Sequence, residues 1–332
     1  MSVTLKDVAE RAGVSRSAVS RTFTAGASVS EKTRRKVLRA ADDLGYRPNA
    51  LASSLTTGRT KLIGLISNNF HNPLFLQVFD LFTRSLQDRG LRPLLVNLTD
   101  ETDPDNSLRL LQQYSVDGVV VASSTLSPEF SLAFQKANIP VVHSFGRFAS
   151  APRVHVVGID NVECGRMAAR TLIARGYRKL AFLGGPAEAT STVDRRKGFM
   201  EATRQVRGVT VSESFATAYS FDAGRAEMLS LLDRTPADAY FCGDDVLSVG
   251  ALSAVRERGF RVPEDIGIIG LNDMEMSRWQ NINLTTIRQP VREIIDSSIE
   301  LVVAMLDAPD RQPEARIFAC EVIERGTLRP LP

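Results

Sequence analysis

The stretch TLKDVAERAGVSRSAVSRTF, residues 4 to 23, decides how the rest of the chain is read. Thr4 can accept a hydrogen bond from a free N–H of a first helical turn, and Asp7 follows at capping-box spacing. Leu5, Val8, Ala9 and Ala12 recur at i, i+3, i+4 and i+7, which makes one apolar helical stripe. Gly13 ends that helix, because glycine enters the left-handed conformation at little cost. Ser15 immediately caps another. Two short helices joined across a glycine turn predict a helix-turn-helix.

At about 100° per residue, the second helix sorts its own side chains. Ala18, Val19, Thr22 and Phe23 fall on one side; Arg16, Ser17, Ser20 and Arg21 fall on the other. Arginines and hydroxyls at an exposed N-terminal end suit base edges in a major groove, so Arg16, Ser17 and Arg21 are the expected base-reading residues. An ordinary amphipathic hairpin would carry the same pattern, and the next segment weighs against it. Val29-Ser30 starts a third helix, with Ser30 as cap and Val37, Ala40, Ala41 and Leu44 as its stripe. It bears Lys32, Arg34, Arg35, Lys36 and Arg39 and stops at Gly45.

The segments GVSxxxVSR (13–21), VSxxTRxKV (29–37) and LGYxPNxxAxxL (44–55) carry a resemblance to the lactose repressor (LacI/GalR) family of bacterial transcription regulators. The likeness extends over nearly the whole chain and is most specific at its N-terminal end. It implies a sequence-specific DNA-binding regulator, expected to be a repressor, that binds a palindromic operator as a homodimer. It implies DNA phosphate contacts from Thr4, Ser20, Ser30, Thr33, Tyr46 and Asn49. It also implies that the run 50–56, too short to hold a helix alone in water, becomes helical on DNA, with Leu55 wedged into the minor groove.

Charge agrees with that division of labour. The net charge of the 332 residues is +3, but residues 1–61 hold 12 Lys/Arg against 5 Asp/Glu, a net +7. The remainder holds 29 against 33, a net −4. A basic head on a mildly acidic body points to a polyanion at one end only. The length suits two or three domains, and 43% hydrophobic with 24% charged residues is a globular composition. No apolar run approaches the roughly 18 residues of a membrane span, so no membrane partner is expected. MSVTLKDVAE lacks a signal-peptide core, and Cys164, Cys242 and Cys320 are few and scattered. A cytoplasmic protein with reduced thiols, without a disulfide framework or zinc site, is therefore expected.

Beyond the polar linker TTGRTK (56–61) the pattern changes. LIGLIS (62–67), RPLLVNL (92–98), DGVVVAS (117–123) and PVVHS (140–144) are apolar strand runs with amphipathic helices between them. HVVGID (155–160), KLAFLGG (179–185), AYFCG (239–243) and DIGIIGLND (265–273) repeat the rhythm. Continuous apolar strands separated by helices imply parallel sheets covered on both faces. LTTIRQP (284–290) and RIFACEVI (316–323), with a helix between them, would return the chain between two lobes. The fold class is therefore α/β: an N-terminal all-α helix-turn-helix DNA-binding domain plus a two-lobed core with parallel sheets. The resemblance makes that core periplasmic-binding-protein-like. The expected divisions are 1–48 for the DNA-binding domain, 49–61 for the hinge helix and linker, and 62–332 for the core. Its first lobe would hold about 62–158 and 290–318, its second about 159–287 and 319–332.

In open α/β sheets ligands bind beyond the C-terminal ends of strands. The expected effector residues there are Asn68, Asn69, Phe75, Arg195 (in RxxGF), Tyr219, Asp244, Asn272 and Gln289. Donors, acceptors and an aromatic face fit a sugar or another polyhydroxy compound. The family usually has Asn at position 244 and Asp at 272, so the two groups are exchanged here. No catalytic residue, metal or cofactor is expected: His71, His143 and His155 show no nucleophile or metal spacing, and there is no P-loop. A periplasmic sugar-binding protein would lack the basic head, and a sugar-modifying enzyme would need a catalytic set. No heptad tail follows RGTLRPLP, so a dimer is expected and not a tail-linked tetramer.

Overall fold

A computed structural model describes residues 3–24, 26–47, 54, 58–98, 104–234 and 236–332. The chain divides into two compact units, Met1–Lys61 and Leu62–Pro332.

In the first unit, α1 (Leu5–Ala12), α2 (Arg16–Phe23) and α3 (Glu31–Leu44) surround a small core. Thr4 and Asp7 form a reciprocal capping box, and Ser15 and Ser30 each cap the helix they precede. Gly13 and Gly45 end α1 and α3 at φ 63° and 66°, a region that an L side chain enters only at a cost. Val8, Val19 and Val37, one from each helix, are fully buried with Ala9, Ala40, Ala41 and Tyr46 around them. The Tyr46 ring lies 5.8 Å from that of Phe23.

The second unit contains β1 (Leu62–Ser67), α4 (Leu74–Asp88), β2 (Arg92–Asn97), α5 (Pro104–Gln113), β3 (Gly118–Ala122), α6 (Pro128–Lys136), β4 (Val141–Ser144) and β5 (His155–Ile159). There follow α7 (Asn161–Ala174), β6 (Lys179–Gly184), α8 (Thr190–Arg204), β7 (Thr210–Phe215), α9 (Phe221–Leu232), β8 (Ala239–Cys242) and α10 (Asp245–Glu257). Last come β9 (Gly267–Asn272), β10 (Thr285–Arg288), α11 (Val291–Asp307), β11 (Ala315–Phe318) and β12 (Glu321–Ile323). Among the described residues these strands make two six-stranded sheets, ordered β11-β5-β4-β3-β1-β2 and β12-β10-β9-β8-β6-β7. Every neighbouring pair is parallel except β10 and β12. The chain passes from one lobe to the other after β5, after β10 and after β11.

Two features differ from the sequence reading. Residues 316–323 are not one segment but two strands in different sheets, broken at 319–320. The strand β7, TVSESF, carries no apolar run because it lies at a sheet edge and is half-exposed along its length.

Glycine sets the spacing of the second lobe's helices. A Cβ on Gly165 of α7 would lie 2.1 Å from the Arg195 carbonyl oxygen of α8, and one on Gly198 of α8 would lie 1.8 Å from the Val162 oxygen of α7. Gly224 of α9 and Gly250 of α10 meet the backbone of Leu247 and Phe221 in the same way. Both pairs therefore pack backbone against backbone.

Candidate functional site

The cleft between the lobes is built from strand ends. Asn69 and Asn72 follow β1, Ser124 follows β3, Phe145 follows β4, and Ile159 and Asn161 flank the end of β5. From the second lobe come Arg195 on α8, Tyr219, Asp244 after β8, Asn272 at the end of β9, and Gln289 after β10. These side chains, with Leu74 and Phe75, line one cavity. Its free volume is about 20 Å³, room for one or two water molecules.

A hydrogen-bonded chain of three amides and one carboxylate runs along this cavity. Gln289 Nε2 donates to Asn272 Oδ1 at 2.6 Å, and Asn272 Nδ2 donates to Asp244 Oδ2 at 2.8 Å. Asn72 Nδ2, from the first lobe, donates to the same Oδ2 at 2.9 Å. Asp244 Oδ1 caps α10 by accepting from the Val246 N–H at 2.6 Å. Burial raises the Asp244 pKa, while these donors and Arg195 pull it down. Arg195 is itself buried, 4% exposed. Its Nε donates to Asn161 Oδ1 at 2.8 Å and its Nη1 to the Gly243 carbonyl. On the aromatic side, Phe75 and Phe145 meet edge to face at 6.3 Å. The Tyr219 hydroxyl is 2.6 Å from that of Thr192.

Backbone geometry aims the polar groups. Asn272 and Asp273 have φ of 127° and 55°, a pair of positive values that non-glycine residues adopt rarely and at a cost. The surroundings hold this turn: Asp245 accepts from the Met274 N–H and the Ser277 hydroxyl at 2.8 Å each and from Thr286 at 2.5 Å, while Arg288 bonds Asp273 at 2.7 Å. Other bonds join the lobes. Thr190 Oγ1 donates to the Ser124 carbonyl at 3.0 Å, and Arg147 makes a two-pronged ion pair with Asp194 at 2.9 and 2.6 Å. His143 fixes the loop that receives Thr190: its Nε2 is 3.0 Å from the Ser123 carbonyl. Its burial drives its pKa down to about 4, so it is a neutral structural group.

Of the effector residues expected from sequence, Asn69, Phe75, Arg195, Tyr219, Asp244, Asn272 and Gln289 meet at the cavity. Asn68 does not. Its Nδ2 donates to Thr125 and its Oδ1 accepts from Ser123, each at 2.9 Å, so its amide is spent within the first lobe. Asn72 and Asn161 were missed. His71-Asn72-Pro73 reads as a turn, and Asn161 reads as the first residue of a helix; the strand-end rule was the signal that could have found both.

On the first unit, Arg16, Ser17 and Arg21 are exposed along one side of α2. Arg21 lies back along the helix, its Nε 3.3 Å from the Ser17 carbonyl. Thr4 is exposed in its capping box, Ser20 is half-buried, and Ser30 donates to Thr33 at 2.9 Å. Tyr46 is in the core, 8% exposed. Asn49, Leu55 and most of the run 50–56 lie outside the described residues.

A helix-turn-helix unit followed by a two-lobed α/β body with a polar cleft defines a ligand-responsive transcription regulator. The comparisons agree with that class. Residues 4–49 match the bacterial regulatory proteins of the lacI family, and residues 169–328 match the periplasmic binding protein-like domain. The chain is 31% identical to the HTH-type transcriptional repressor PurR of Vibrio atlanticus (strain LGP32) over 99% of both sequences. It superposes on the transcriptional regulator CelR in its cellobiose complex with a TM-score of 0.72 and 30% identity, covering 98% of this chain and 99% of that one. The Lac repressor dimer bound to operator and the anti-inducer ONPF shares the fold, with a TM-score of 0.88 at 24% identity over 98% and 99% of the two chains. The chain belongs to the lacI family of bacterial regulatory proteins and is a DNA-binding transcription regulator, not an enzyme. Among the described residues no helix is long and apolar enough to cross a membrane.

Proposed function

We propose that this regulator acts in the cytoplasm as a homodimeric repressor. Its affinity for a palindromic operator would respond to a sugar or sugar derivative held between the lobes. The observation that carries this reading is the hydrogen-bonded chain from Gln289 through Asn272 and the Asp244 carboxylate to Asn72. It supplies donors and acceptors from both lobes, facing Arg195 and an aromatic wall, and such a lining suits adjacent hydroxyls. That CelR was solved with cellobiose favours the same ligand class. A ligand hydroxyl that competes for Asp244 or Asn72 would replace a bond between lobes and so shift their relative position.

At the other end, residues 1–48 form the DNA-binding domain and 49–61 the hinge and linker. Residues 62–332 form the effector and dimerisation core, with the lobe divisions given above. Arg16, Ser17 and Arg21 read base edges. Thr4, Ser20, Ser30, Thr33, Tyr46 and Asn49 contact phosphates, and Leu55 enters the minor groove. Dimerised lobes would bring two copies of the hinge together over the operator centre, and ligand-driven movement of the lobes would decide whether they pair there.

The test uses full-length protein. An operator is selected from a random DNA pool, and sugars and sugar acids are screened by thermal shift, because a ligand specific to the native state raises Tm. A hit should change operator affinity in the wild type and leave Arg195→Ala, with intact operator binding, unresponsive. Failure to select any sequence over random DNA overturns the reading. An operator bend unchanged by Leu55→Ala removes the wedge.

A further inference from the structure

The helix that bears Arg16, Ser17 and Arg21 ends without a glycine cap. α1 and α3 close on Gly13 and Gly45 in the left-handed conformation, and each cap N–H returns to its last turn. α2 closes on Thr24 at φ −94° and ψ 121°, an extended residue whose N–H donates to the Arg21 carbonyl. The last carbonyls of a helix find no partner within it. Two side chains serve them here. The Thr24 hydroxyl donates to the Ser20 carbonyl at 2.9 Å, and Arg34 Nη1 donates to the Thr22 carbonyl at 3.2 Å. The first bond is local; the second comes from α3, twelve residues on. Of the cations on α3, Lys32, Arg35, Lys36 and Arg39 are exposed, and Arg34 is half-buried. It lies one turn before Val37, which is in the core of this unit.

We propose that Arg34 is a positioning residue for base reading, which ties the C-terminal end of α2 to α3 and touches no base itself. The proposal rests on the reading of α2 as the base-reading helix. A guanidinium at a helix C-terminus meets the negative end of the helix dipole, so this bond is charge-assisted. α2 has eight residues, about 12 Å of helix. Ser15 caps its start, and Val19 holds its middle in the core. Near the far end Phe23 rests against Tyr46, but apolar packing is non-directional. The Arg34 bond is directional and sets the rotation of that last turn against α3. Arg21 is one residue from Thr22, so its side chain departs from the turn that Arg34 holds. A binding constellation works only when held to within about 0.5 Å. Arg34 therefore fixes where Arg21 arrives, while Arg16 and Ser17, at the capped end, depend on it less.

The experiment titrates full-length protein on the operator selected with the wild type and on random DNA, over a range of salt. Arg34→Ala should weaken operator binding roughly tenfold, the share of one charge-assisted bond, and leave random DNA nearly unchanged. The slope of log affinity against log salt should keep its wild-type value, whereas each lost phosphate contact would lower it by about 0.9. Single-base variants of the operator should show the lost discrimination at the pairs where Arg21→Ala also loses it. A purely structural role would lower Tm and weaken both DNAs alike. If the alanine variant folds poorly, Arg34→Gln is measured by the same criteria. A reduced slope, equal losses on the two DNAs, or an undiminished preference for the operator overturns the proposal. Arg21→Ala, run alongside, separates two failures. If it lowers the preference and the Arg34 variants do not, the role of Arg34 fails. If it too leaves the preference intact, base reading by α2 fails and the proposal falls with it.

Discussion

Asn72 Nδ2 and Asp244 Oδ2 are 2.9 Å apart, and this bond joins the first lobe to the second across the cleft. Asn72 also accepts from the Leu74 N–H at 3.0 Å, which fixes its amide at the start of α4. Asn72→Ala leaves a buried carboxylate with one donor fewer. A hydrogen bond to a charged group contributes about 1.5–3 kcal/mol. Chemical denaturation should show the body destabilised by about that much; an unchanged midpoint would mean the bond does not form in solution.

Asp245 should make stability fall as pH rises through the weakly acidic range. Burial pushes its carboxyl up to about 7, against about 3.9 in an unfolded chain. Between those values the folded state binds more protons than the unfolded one, so unfolding free energy decreases with pH. Stability from this group is fully present below the unfolded value and lost by the folded one. Asp245→Asn cannot titrate. The wild-type curve should slope downward relative to the variant's between about pH 4 and 7, and parallel curves would refute a raised Asp245.

Base reading by α2 predicts an uneven loss. Arg21→Ala should cost about 1–3 kcal/mol on the selected operator if the guanidinium reads a guanine. Random DNA should be bound almost as before, because α3 keeps its Lys and Arg residues. Equal losses in a fluorescence-anisotropy titration of both DNAs would make Arg21 a phosphate contact.

Gly198 offers a test in which two effects have opposite signs. Alanine is favoured over glycine in a helix by about 1 kcal/mol. Here its Cβ would lie 1.8 Å from the Val162 carbonyl oxygen, a backbone atom that cannot swing away. Overpacking typically costs about 1–3 kcal/mol. Gly198→Ala should therefore lower Tm, and a rise would mean that α7 and α8 are not in close contact.

Local signals in the sequence carried much of this architecture. Thr4, Ser15 and Ser30 announce helix starts and Gly13 and Gly45 helix ends, because caps act within a few residues. Buried parallel strands such as GVVVA read as apolar runs because both faces are covered. The edge strand β7 escaped because its outer positions face water and need no apolar side chain. Side-chain direction was harder still. Asn68 and Asn69 are adjacent, yet only Asn69 reaches the cavity, because Ser123 and Thr125 capture Asn68. Those partners are more than fifty residues away and belong to no local pattern.

The glycine contacts of the second lobe have a consequence for how this regulator can change. With α7 against α8 and α9 against α10 at backbone distance, side chains cannot be added along those seams without parting the helices. Asn69 and Gln289 follow strand ends instead, where an exchanged side chain disturbs one rim and not the frame, whereas Asn72 and Asn272 hold Asp244 and cannot be exchanged without loss of stability. Laboratory selection for a new effector should therefore enrich substitutions at Asn69 and Gln289 and purge them from Gly165, Gly198, Gly224 and Gly250. Ligand preference and foldability can then be altered separately.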